Sequence, residues 1–179
     1  VKRVRGKVGI PLVFMTYANP VYTYGTEMFM KRCAECGIDG IIIPDVPFEE
    51  REEVSGACEA AGIELISMVA PTSHERIGRI AKHAKGFLYC VSSLGVTGVR
   101  NKITTDIRDM VDHVRAVSDV PCAVGFGIST PEQARAMAAV SDGAIVGSAI
   151  VRIIARYGKD CIGPVCDYIR EMKAAVVAA

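Results

Sequence analysis

The sequence has no tryptophan and only 6% aromatic residues, so it offers little of the stacking surface that single-stranded nucleic acid needs. Charge of one sign is missing too. Its 21 Lys and Arg against 20 Asp and Glu leave a net +1, which gives no reason to expect nucleic acid or a strongly acidic surface as partner. No apolar run approaches the roughly 20 residues of a membrane-spanning helix. No low-complexity tract, linker or composition break divides the 179 residues, so one domain is expected over 1–179. The seven cysteines are odd in number and scattered through strand-like and helix-like segments, which predicts free thiols in a reducing cytoplasm and no disulfide framework. Methionine is absent from the first position. Val1 stands there, and the chain reads as a piece of a longer product. Its start, VKRVRGKVGIPLVFMT, imitates a signal peptide, but the apolar run is short, carries Pro11 and leads into Tyr17-Ala18-Asn19-Pro20. A strand is the expectation there.

What is present is alternation. Short apolar runs at Ile10–Thr16, Gly40–Ile43, Glu64–Val69, Phe87–Val91, Val120–Val124 and Gly143–Val146 are continuously apolar, as in parallel strands covered on both faces. Between them lie amphipathic segments near Thr26–Cys36, Glu49–Ala61, Ser73–Ala84, Thr105–Ala116, Pro131–Val140 and Gly163–Ala175. Gly37, Gly62 and Gly86 are placed as C-terminal caps. Thr72 with Glu75, and Thr130 with Gln133, have capping-box spacing. The pattern is α/β. Six β/α units fit a doubly wound sheet, but there the functional loops usually sit at the first βα turn. They also fit a TIM (β/α)8 barrel with strands 3–8 present and Val1–Val8 as the tail of its second helix, since a full barrel needs eight units in about 250 residues.

The last two units favour the barrel. Val120–Val124 ends at Gly125-Phe126-Gly127 and a helix opens at Thr130-Pro131; Gly143–Val146 ends at Gly147-Ser148-Ala149 and runs directly into an apolar helical segment. Glycines let backbone N–H groups approach a phosphate, and a helix start adds oriented donors and partial positive charge. Taken singly, each glycine also reads as turn punctuation. Together the loops 125–130 and 146–150 match the barrel's phosphate-binding position after strands 7 and 8.

Ser92–Asn101 has no apolar period, and Gly95 and Gly98 bracket Thr97. The stretch 92–102 therefore reads either as a lid over the C-terminal face or as a surface loop. Asp45, between Pro44 and Pro47 at the end of the second run, suits a catalytic carboxylate or a helix-preceding turn. Glu49, Glu50, Glu52 and Glu53 form a solvated helix start. Cys33-x-x-Cys36 has no second pair at zinc spacing and lies on a helical segment. His74, His83 and His113 fall on helices with no ligand-spaced partner, and no metal is assigned.

PLVFMTYANPVYTYG, GIDGIIIPDVPFEE, SSLGVTG, VGFGISTPEQ and IVGSAIV, in this order, closely resemble the tryptophan synthase alpha chain family along essentially all 179 residues. The resemblance implies a (β/α)8 barrel and a lyase of the last step of tryptophan biosynthesis, cleaving indole-3-glycerol phosphate to indole and glyceraldehyde 3-phosphate. It implies a phosphate site at Gly98, Gly127, Gly147 and Ser148. An indole pocket falls on Met15, Tyr17, Ile42, Tyr89, Phe126 and Ile145, and the lid threonine on Thr97. Asp45 falls on a loop near the interface with the beta chain, which is the implied partner and carries the pyridoxal phosphate; the alpha chain has no cofactor of its own. The family's general acid/base Glu and its partner Asp fall upstream of Val1, so the chain is expected to bind substrate but to be nearly inactive alone. A non-catalytic module that binds phosphate ligands or the beta chain, or another phosphate-binding barrel enzyme, remains the alternative. A barrel opened in this way leaves two sheet edges, at Ile10–Thr16 and Gly143–Val146, and self-association is expected.

Overall fold

A computed structural model of the chain describes every residue except 72, 73, 92–99 and 126, and every side chain of the remainder except those of 100–106. The chain divides into two compact units, 1–68 with 83–86 and 69–82 with 87–179.

In the first unit a short helix α1 (Lys2–Arg5) precedes strand β1 (Val13–Met15), helices α2 (Ala18–Tyr24) and α3 (Thr26–Cys36), strand β2 (Gly40–Ile42), a 3-10 turn at Phe48–Glu50, helix α4 (Glu52–Ala61) and strand β3 (Glu64–Leu65). The sheet order is β1-β2-β3 and both pairings are parallel. Helices α3 and α4 end as their glycines dictate: Gly37 and Gly62 take φ of 81° and 69° and return their amides to the last turn. Val21, Met30, Ile41, Val54 and Cys58 form the core of this unit. Ahead of β2, the Asp39 carboxylate accepts from the Leu12 amide at 2.7 Å and from Arg5 at 2.9 Å, clamping the entry to β1 against its neighbour.

The apolar run 64–69 is not one strand. It breaks after Leu65, and Met68–Val69 form β4, which opens a second sheet of order β4-β5-β6-β7. There follow α5 (His74–His83), β5 (Leu88–Val91), α6 (Arg100–Arg115), β6 (Cys122–Gly125), α7 (Pro131–Ala138), β7 (Gly143–Ile145), α8 (Ser148–Tyr157), a 3-10 turn and α9 (Ile162–Val177). Pairings β5–β6 and β6–β7 are parallel. One face of the β5–β6 pair carries Leu88, Cys90, Cys122 and Val124, all fully buried, and Ile77, Ile107, Met110 and Val111 are buried on the helices of the same unit. Asp142 repeats the clamp of Asp39: its carboxylate accepts from the Cys122 amide at 2.8 Å and from Arg115 at 3.2 Å. Among the described residues no helix is long and apolar enough to cross a membrane.

Candidate functional site

The two glycine loops leave one end of one sheet. In the parallel register Val91 pairs with Gly125 and Gly125 with Ile145, the last residues of three adjacent strands. Gly127 follows two residues after one partner and Gly147 two residues after the other, so both turns start at neighbouring points on the C-terminal rim. Gly127, Gly147 and Ser148 are all exposed there. Gly127 has a φ of 76°, a left-handed conformation that a side chain would strain. Gly147 is the residue before α8, whose first turn has neither a side-chain cap nor an acidic residue. Its leading amides and partial positive charge are therefore uncontested.

The first loop is held in place by side chains. Thr130 accepts from the Gln133 amide at 3.3 Å, and the Gln133 side-chain oxygen accepts from the amides of Thr130 at 3.2 Å and Ser129 at 2.8 Å. The capping box expected from the sequence is complete, with Pro131 in the first turn. From α9 the Tyr168 hydroxyl donates to the Ser129 carbonyl at 3.0 Å. Sequence reasoning had no access to that bond, which links residues 39 apart. Beneath the rim, Tyr89 is buried with 7% of its surface exposed, and burial pushes its phenol pKa up. It lies so close to Gly125 that a Cβ there would overlap its hydroxyl and ring. Glycine at 125 is a requirement of packing. Ile145, another residue of the expected pocket in this unit, is half-buried at the end of β7.

Three residues of the expected pocket, Met15, Tyr17 and Ile42, lie in the first unit. Met15 and Ile42 are register partners at the ends of β1 and β2; Ile42 is buried, whereas Met15 and Tyr17 are 53% and 66% exposed. Asp45 is committed to structure: its two carboxylate oxygens accept from the Ala18 amide at 2.9 and 3.2 Å, capping α2 from 27 residues away. Gly98, Thr97 and Phe126 lie outside the described residues, as do Ser92–Val99 of the expected lid and Thr72 of the second capping box.

Cys33 is buried and its thiol pKa is pushed up, first by desolvation and then by Cys36. That is the reverse of an activated redox thiol. The histidines require a correction. His74, at the start of α5, lies with Nε2 3.2 Å from the Asp109 carboxylate, and His113, one turn beyond Asp109 on α6, stacks on His74 with ring centroids 3.6 Å apart. Asp109 and His113 are four apart on α6 and could be read as one helix face, but no linear spacing could show that His74 joins them from α5.

The model of the family described as tryptophan synthase alpha chain matches residues 1–176. A tryptophan synthase alpha chain of Lacticaseibacillus casei is 42% identical over 178 residues, 99% of this chain and 67% of its own length. Among solved structures, tryptophan synthase subunit alpha from Campylobacter jejuni superposes with a TM-score of 0.85 at 36% identity, over 93% of this chain and 66% of that one. A chain of the tryptophan synthase a2b2 complex from Pyrococcus furiosus gives 0.83 at 28% identity, over 97% of this chain and 70% of that one. The chain thus spans about two thirds of the length of the relatives it matches.

Proposed function

The chain belongs to the tryptophan synthase alpha chain family, with part of that family's (β/α)8 barrel as its fold, and on that premise we propose that it holds the phosphate and indole of indole-3-glycerol phosphate for retro-aldol cleavage in tryptophan biosynthesis. The observation that carries this reading is the register of β6 and β7, which starts Gly127 and Gly147-Ser148 from adjacent points of one rim. Backbone amides at a glycine turn and at an uncapped helix start are the donor set for a dianionic phosphate. Met15, Tyr17, Ile42, Tyr89, Phe126 and Ile145 supply the apolar wall for the indole, Gly98 a further phosphate contact, and Thr97 the lid that excludes water.

Cleavage places a proton on an indole ring carbon and removes one from a hydroxyl. In this reading the Glu and Asp that do so belong to the portion of the family's length outside these 179 residues. Asp45 does not replace them, because its carboxylate already serves the Ala18 amide. The chain uses no cofactor of its own; the pyridoxal phosphate belongs to a beta chain, the partner with which indole is exchanged, as the a2b2 complex of the Pyrococcus furiosus neighbour supports. Free, mostly buried thiols suit a reducing cytoplasm.

Calorimetry with glycerol 3-phosphate and indolepropanol phosphate, beside an indole-release assay, tests the proposal. Both ligands should bind, turnover should be near zero, and Ser148→Asp should weaken both about tenfold or more by placing a negative charge at the helix start. Binding of neither ligand would overturn the site. Release of indole at the rate of intact alpha chains would overturn the division of labour.

A further inference from the structure

His74, Asp109 and His113 form a cluster on the outside of the second unit that the reaction above does not use. One donor atom from each residue lies within 4.8 Å of the others. Asp109 and His113 are four apart on α6, which puts both on one helix face, and His74 comes to them from the first turn of α5. The tautomer of His113 is set by its surroundings. Its Nδ1 lies 2.8 Å from the Asp109 main-chain carbonyl, and a carbonyl only accepts, so in the neutral ring it is Nδ1 that carries the proton and Nε2 that offers the lone pair. An imidazole whose second nitrogen donates to a carbonyl is the usual form of a metal-ligating histidine. His74 is anchored in turn, with Nε2 3.2 Å from the Asp109 carboxylate.

We propose that His74, Asp109 and His113 bind one divalent transition cation of the zinc, cobalt or nickel type, clipping the start of α5 to the C-terminal half of α6. Two imidazoles and one carboxylate are a borderline donor set, suited to these metals over calcium or magnesium, which prefer all-oxygen cages. Donors around tetrahedral zinc stand about 3.4 Å apart, given bonds of about 2.1 Å. The present limit of 4.8 Å therefore needs up to about 1.4 Å of closure. His74 and Asp109 have that freedom, since their side chains are 60% and 58% exposed. The same exposure leaves the remaining coordination positions to water. The stacked rings, 27° from parallel, share one carboxylate between them, and a cation bound to all three would neutralise it while joining both helices.

Cobalt titration of the chelator-treated chain tests this, with absorption spectra as the readout. The expected result is one Co²⁺ per chain, nitrogen/oxygen-type visible bands without a sulfur-to-cobalt charge-transfer band, and competition by Zn²⁺. His74→Ala and His113→Ala should each weaken binding about tenfold or more, with circular dichroism unchanged, and His83→Ala should not. Zn²⁺ should also raise the thermal midpoint of the parent and leave that of His113→Ala unmoved. A thiolate charge-transfer band, equal affinity in the double variant His74→Ala/His113→Ala, or no saturable binding at millimolar cobalt would overturn the proposal.

Discussion

Cys58 shows how much one buried atom can make stability depend on pH. It is 1% exposed in the core of the first unit, and desolvation pushes its thiol pKa from 9.0 to about 11, with neighbouring Cys33, Glu59 and Glu64 acting in the same direction. Below pH 9 both the folded and the unfolded chain hold the proton, so the favourable contribution of the neutral buried thiol is fully present. As pH rises from 9 towards 11 the unfolded chain ionises first, and folding loses ground until the folded thiol also titrates. Two pKa units correspond to a loss on the order of 2–3 kcal/mol. The hydrogen bond to Cys122 and burial raise the Cys90 thiol too, but the same bond lowers the Cys122 thiol, so this pair does not add to the trend. Urea midpoints compared below pH 9 and near pH 11 should therefore fall, and Cys58→Ala should fall by visibly less. Equal falls in parent and variant would show that other groups carry the alkaline loss. The Cys33-x-x-Cys36 pair closes helix α3, and burial raises the Cys33 thiol as well.

Among the elements, α7 was the most legible, because every signal that opens it is local. Thr130, Pro131 and Gln133 lie within four residues, and the structure contains both halves of the capping box. Thr130→Ala should cost about 1 kcal/mol and Thr130→Ser almost nothing, read from chemical denaturation midpoints. An unchanged midpoint in Thr130→Ala would mean that the bonds from Gln133 to Ser129 hold the turn alone. Helix α3 was legible too, since its period is amphipathic and Gly37 stops it. Helix α2 was not. Its acceptor, Asp45, comes from 27 residues away, and Pro20 looks like a breaker although it sits in the first turn, where no amide is needed. The run 64–69 misled for a related reason: its hydrophobicity is continuous, while Leu65 pairs with Ile41 and Met68–Val69 enter a different sheet. Helix α6 begins at Arg100, five residues before the expected Thr105. Within the site, the adjacency of Gly127 and Gly147 followed from parallel pairing. The Tyr168–Ser129 bond and the histidine cluster needed one helix brought against another segment, which no spacing encodes.

At the scale of the whole molecule, the described residues leave apolar surface at the sheet edges. β1 pairs only with β2 in its sheet, and on its face away from the core cluster Val13 and Met15 are 36% and 53% exposed, with Ile10 before them at 66%. Phe14, between them, packs inward on the core, so the alternation aims the strand's other face at solvent. β7 is likewise the last strand of its sheet. On the helices that follow it, Val151, Ile154 and Ile162 are 63%, 45% and 73% exposed, and α8 and α9 border an open groove of about 570 Å³ with Arg152, Arg156 and Tyr168 in its lining. Exposed apolar side chains beside the open edge of a sheet are a template for association, since the edge supplies hydrogen bonds and the side chains supply burial. We therefore expect sedimentation coefficients that rise with protein concentration. Val13→Lys should reduce that rise, because a charge on an edge strand must be desolvated before another strand can pair with it. Lys in place of Val151 tests the second surface separately: if only the edge strand drives association, Val13→Lys abolishes it and Val151→Lys leaves it intact. A parent chain that sediments as a monomer at every concentration would mean that neither surface is sticky enough to repay the entropy of association.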